Sequence, residues 1–233
     1  MELGHIFKME MYKNFRDKPY LIMIGIFTAS MTILSLFVFS EDFLFQLLRN
    51  HNMPTFVMQF LVLLTIFTFL GLIVFALLYP FHLLNLDYKN KVMSLMFASG
   101  VSRTKYYFVK IGATILSCYL VAAIISLPLM LSTESGEILN VMFRNILSIV
   151  QWVVVMMVAI ILTKGSLSGL FLFIGLNLAI GILQLFIGVA IFSPSYSIIG
   201  GLITGGASTN VITVVTILLF GLLGIVLLRR QDL

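Results

Sequence analysis

Charge is what this sequence has least of. Only 10% of its 233 residues are Asp, Glu, Lys or Arg, while 61% are hydrophobic. A soluble domain is about one quarter charged and about half apolar. The shortage excludes an ordinary soluble fold and points to an all-α integral membrane protein. The net charge of +5 does not imply nucleic acid as a partner. The cations gather at the ends of apolar runs, whereas phosphate-binding proteins carry a contiguous basic face. Cysteine is nearly absent too. Cys118 alone, within an apolar run, allows neither an intramolecular disulfide nor a thiolate metal cluster. The three histidines, His5, His51 and His82, are scattered and read as surface residues near interfaces, so no catalytic or metal-binding set forms around them. No G-x-x-x-x-G-K-[ST] segment is present to cradle ATP, and no TVGYG-like filter. No Asp, Glu, Lys or Arg stands in the interior of an apolar run, which argues against ion-coupled transport.

What remains is a single polytopic transmembrane unit over residues 1–233, with no internal repeat, soluble domain or linker. Six apolar runs are expected as spans, at about 20–39, 56–79, 108–131, 145–162, 170–192 and 211–228. Pro80 is expected to end the second and Pro128 lies near the far end of the third. Leu3, Ile6, Phe7, Met11 and Phe15 recur at helical steps ahead of the first span, in a segment with Lys8, Lys13, Arg16 and Lys18. That pattern predicts an amphipathic helix in the membrane interface, apolar face to lipid. With the N-terminus inside, twelve Lys and Arg residues fall on the inner side and only Arg49 and Arg144 on the outer. The positive-inside rule therefore predicts cytoplasmic termini. Ser193 to Asn210, rich in Gly and Ser and free of charge, reads as a re-entrant or interfacial piece, or as a plain external loop.

The spans hold uncharged polar residues in stripes: Thr28, Thr32 and Ser35 in the first, Thr65 and Thr68 in the second, Asn177 and Gln184 in the fifth. These line a polar path or bond between helices. The hydroxyls have the further option of bonding back to their own helix. Gly221 and Gly224 thin the sixth span, and Gly169, Gly175, Gly181 and Gly188 the fifth, which favours close packing.

The longest polar interruption is DYKNKVMSLMFASGVSRTKYYFVK, Asp87 to Lys110, with five of the fourteen Lys and Arg residues. It reads as helix, break, helix. Val92, Met93, Met96 and Phe97 give a short amphipathic helix, Gly100 ends it in the left-handed region, and Ser102 caps the next. Such an element either docks a partner or only turns the chain at the membrane surface.

The core of this stretch, ASGVSRTKYYFVK, resembles the loop between the second and third spans of type-2 ABC transporter permeases. Asp87, Ser99, Gly100, Ser102, Arg103, Tyr106, Tyr107 and Lys110 match the family pattern, which departs at Lys91-Val92, where many relatives carry Gly-Thr. The resemblance implies a permease dimer in a bacterial plasma membrane, made of two identical or related chains. It implies an ABC ATPase subunit docked on the short coupling helix, with ATP and Mg on that partner and no cofactor on this chain. Met93, Met96 and Phe97 become the expected apolar docking contacts and Arg103 and Lys105 the charged ones. The path between two copies is expected to be lined by Thr28, Thr32, Ser35, Thr65, Thr68, Asn177 and Gln184. The expected cargo is an amphipathic or hydrophobic peptide, peptide antibiotic or drug, moved outward. A passive channel or scaffold, and a membrane-embedded enzyme, stay open as alternatives.

Overall fold

The computed structural model describes residues 3–37, 55–132, 146–176 and 207–230. Every regular element among them is a helix: α1 (Leu3–Asn14), α2 (Lys18–Phe37), α3 (Thr55–Lys89), α4 (Val92–Ala98), α5 (Arg103–Ser132), α6 (Ile146–Leu162) and α7 (Ala207–Arg230). Residues 168–176 are helical as well. Among the described residues, three helices are long and apolar enough to cross a membrane: Lys18–Leu36, Gln59–Tyr88 and Arg103–Pro128. Their outward residues, such as Phe60, Phe67, Ile73 and Leu127, are large and apolar, as lipid-facing residues must be.

The helices pack around two apolar clusters. One lies between α2, α3 and α5, with Phe27, Leu34, Phe75, Tyr79 and Val121 at its centre. Cys118 is a partly buried packing residue at its edge, as its place in an apolar run suggested. The larger cluster joins α6 to the ends of α3 and α5, the turn between them and the end of α7. Its centre includes Leu84, Met93, Tyr106, Tyr107, Met156 and Leu228.

One expectation about a boundary is corrected. Pro80 does not end a helix. α3 runs unbroken for 35 residues, from Thr55 to Lys89, with Pro80 inside it. A mid-helix proline costs about 3 kcal/mol. The turns beyond it pack Phe81, Leu83 and Leu84 against neighbouring helices, the setting in which an apolar helix tolerates a proline. The N-terminal helix also makes a contact that its apolar periodicity did not show. Its inward face is Ile6, Glu10 and Asn14, at four-residue steps and fully buried, against α5. Phe7, Met11 and Phe15 are only half-buried at the margin of that face.

The turn chemistry follows the sequence. Gly100 sits at φ +86°. The Val101 amide donates to the Met96 carbonyl at 3.2 Å and the Gly100 amide to that of Phe97 at 3.0 Å, the paired bonds of a Schellman ending. The Ser102 hydroxyl accepts from the Lys105 amide at 3.2 Å and caps α5. α6 ends in the same way through Lys164 and Gly165, both left-handed, and the Gly165 amide donates to the Ile160 carbonyl at 3.0 Å. Gly165 presses on the end of α3: a Cβ there would collide with Tyr88 and lie 2.6 Å from the Asn85 Oδ1.

Gly165→Ala should therefore destabilise the protein by about 1–3 kcal/mol, through overpacking added to an unfavourable φ. Gly25→Ala, where a Cβ meets nothing within 4 Å, should leave the melting temperature in detergent unchanged.

Candidate functional site

At one end of the bundle the N-terminal helix, the end of α3 and the start of α5 meet. Glu10, Asp87 and Lys110 lie at that meeting point with no exposed surface. The Lys110 ammonium is 2.6 Å from the Glu10 Oε2 and 2.9 Å from the Asp87 Oδ2. Lys13, one turn beyond Glu10, pairs with the Asp87 Oδ1 and lies 3.7 Å from the Glu10 Oε1. The Tyr106 hydroxyl donates to the Asp87 Oδ2. One turn further along α1, Asn14 donates to the Ser117 hydroxyl at 2.9 Å, and Ser117 donates to the Ala113 carbonyl at 2.8 Å. Two carboxylates thus balance two ammonium groups in a dry site. Burial lowers the Lys13 pKa to about 8, with the Lys110 charge adding to the effect and Glu10 opposing it.

Lys110 was expected to start an apolar span and Lys13 to mark its cytoplasmic flank. Lys110 is in addition a buried charge partner and Lys13 a partly buried one. Glu10 was not singled out at all. Its signal was positional: it falls four residues from both Ile6 and Asn14, on the face that packs.

The turn above the cluster is fixed from several sides. Met93 and Met96 of α4 are 2% and 7% exposed and belong to the large core cluster. Phe97 is half-buried, edge-on to the Tyr106 ring with centroids 5.4 Å apart. The Arg103 guanidinium sits 5.4 Å from the Phe97 centroid and donates to the Leu228 and Arg229 carbonyls at 2.9 and 3.1 Å. It thereby caps the C-terminus of α7 with a cation, which suits the helix dipole. Arg229 answers by donating to the Thr104 hydroxyl at 3.1 Å. Of the residues expected to dock a partner, Met93 and Met96 point inward, Arg103 holds α7, and Lys105 is exposed. The exposed apolar residue of α4 is Leu95, at 68%, with Lys91, Ala98 and Ser99 beside it at helical spacing.

The hydroxyls expected along a path bond within their own helices. Thr28 donates to the Ile24 carbonyl, Thr32 to that of Thr28, Ser35 to that of Thr32 and Thr65 to that of Leu61, each at 2.8 Å. Thr68 is buried and Thr32 exposed. Asn177 and Gln184 lie outside the described residues. His82 is half-buried rather than a free surface residue: its Nε2 lies 2.6 Å from the Asp17 Oδ2. Among the described residues no group of three or more His, Cys, Asp or Glu side chains is placed to hold a metal ion. No protein family, curated protein or solved structure matches the chain.

Removing one member of a buried charge pair strands the other. Lys110→Met should destabilise the protein by about 3–5 kcal/mol. Adding Glu10→Leu to it should recover part of that loss. A double-mutant cycle on denaturant or thermal unfolding measures the coupling, and additive losses would mean that the pair does not act as a unit.

Proposed function

We propose that the chain is the membrane-spanning permease subunit of an ATP-driven exporter, with α4 as the element that receives force from a separate ATPase. The observation that carries this reading is the setting of α4. A seven-residue helix joins two long apolar helices, is anchored from below by Met93 and Met96, and presents Leu95 outward one turn from Lys91, with Lys105 exposed at the start of the next helix. An exposed apolar side chain with a lysine one turn away, on a well-packed support, suits a partner with an apolar groove and an acidic rim.

Other features agree. Lys91 is left-handed at φ 54°, the conformation that glycine favours, at the position where the permeases it resembles carry Gly. All twelve described Lys and Arg residues belong to segments at this one end, as the positive-inside rule asks of a cytoplasmic side. A continuous α3 and a stiffly seated α5 can carry movement at α4 along their length. In this reading the chain has six spans with cytoplasmic termini and pairs with a second copy or a related chain. ATP and Mg are held by the ATPase, and this chain itself performs no hydrolysis. The cargo is an amphipathic or hydrophobic peptide, peptide antibiotic or drug.

Purification from the native membrane in mild detergent should bring down an ABC ATPase. Leu95→Asp should reduce that recovery at least tenfold while the permease melts within about 2 °C of the parent, since surface changes rarely exceed about 0.5 kcal/mol. Recovery of the chain free of any ATPase would favour a passive channel or scaffold. Full ATPase recovery with Leu95→Asp would move the docking site elsewhere.

A further inference from the structure

By turning Glu10 and Asn14 inward, α1 leaves a second stripe facing out. Lys8, Met11, Tyr12, Phe15 and Arg16 share that face and line a shallow, open cavity of about 540 Å³. Met11 and Phe15 form its half-buried floor. The Met11 sulfur lies 3.6 Å from the Ser117 hydroxyl oxygen, and Phe15 packs against the cluster between α2, α3 and α5. Lys8, Tyr12 and Arg16 form the exposed rim. Lys8 and Arg16 are two turns apart, about 12 Å along the axis, and Tyr12 lies midway.

Among the described residues no acid lines the cavity, and the acids nearby in sequence are engaged elsewhere: Glu10 with Lys110, and Asp17 with His82. The groove therefore offers two cations and a phenol over an apolar floor. It also lies where α1 passes into α2, whose apolar window begins at Lys18. That is the level at which headgroups meet hydrocarbon.

We propose that this groove binds an anionic phospholipid. The phosphate lies between Lys8 and Arg16, with the Tyr12 hydroxyl as a third donor, and the acyl chains run over Met11 and Phe15 toward α2. The floor distinguishes a lipid from a soluble anion, because a free phosphate gains nothing from Met11 and Phe15. The rim distinguishes an anionic from a zwitterionic lipid, because a choline group would set a third cation beside Lys8 and Arg16. The inference rests on the chain being membrane-embedded and is independent of whether it transports anything.

The test is titration of phosphatidylglycerol into the full chain held in phosphatidylcholine-detergent micelles. It reads thermal unfolding together with lipid retained in native mass spectrometry. The parent protein should bind phosphatidylglycerol in preference to phosphatidylcholine, and the preference should shrink as salt rises. The variant Lys8→Gln/Arg16→Gln should bind it about thirtyfold more weakly, roughly fivefold per cation. Its melting temperature in phosphatidylcholine alone should be unchanged. Lys105→Gln, which removes an exposed cation outside the groove, should keep the parent response. Three results would overturn the proposal. In the first, the double variant keeps full affinity. In the second, Lys105→Gln loses as much, which would indicate diffuse surface charge. In the third, inorganic phosphate gives the same shift as the lipid, which would indicate a small-anion site.

Discussion

The contact of Lys110 with Glu10 and Asp87, completed by Lys13, sets the terms for everything at this end of the bundle. A lone buried charge is penalised by several kcal/mol, and the penalty is offset only when every partner is in place. Glu10 comes from α1, Asp87 from α3 and Lys110 from α5. None of the three helices can slide by a turn without stranding a charge in a dry site. An apolar contact would tolerate such a slip far better, since Leu and Met surfaces interdigitate in more than one register. The cluster therefore contributes register more than net stability. The Tyr106 hydroxyl and the Asn14–Ser117 bond extend the same fixed register along α5.

Local features of the fold were legible in the sequence, and long-range ones were not. Gly100 and Ser102 behave as their types require, because caps depend on a few adjacent residues. The hydroxyls of Thr28 and Thr65 bond back to their own helices, the local option open to them. Pro80 misled because an apolar helix packed by its neighbours tolerates a proline that would end an isolated one. Met93 and Met96 formed a recognisable apolar face, but periodicity identifies a face without saying what covers it. Here the covering is the chain's own core, and Leu95 on the other side is left exposed. Lys13 and Lys110 counted as marks of sidedness, since a sequence read in one dimension shows a flanking cation and not the carboxylate that reaches it. Glu10 was hidden among basic neighbours for the same reason.

The site joins two mechanical characters. Below α4 everything is committed: charges are paired, methionines are buried and the Arg103 guanidinium is divided between a ring and two carbonyls. Above it, Leu95, Lys91 and Lys105 are free to meet another surface. A support of that kind transmits displacement because it has few ways to absorb it. The rim of Lys8, Tyr12 and Arg16 stands on the reverse side of the same α1 that supplies Glu10, so whatever occupies the groove touches the helix that holds the cluster in register.

The bond from Arg103 to the Leu228 carbonyl spans 125 residues of sequence. On a ribosome releasing about 5–20 residues each second, the guanidinium emerges several seconds or more before the carbonyl that receives it. Glu10 must likewise wait for Lys110, 100 residues behind it. The turn between α3 and α5 therefore reaches its final form late in biogenesis, only once α7 has been made and packed. Until then a partner would meet a loosely held α4, and a finished chain is distinguished from a half-made one by the stiffness of this turn.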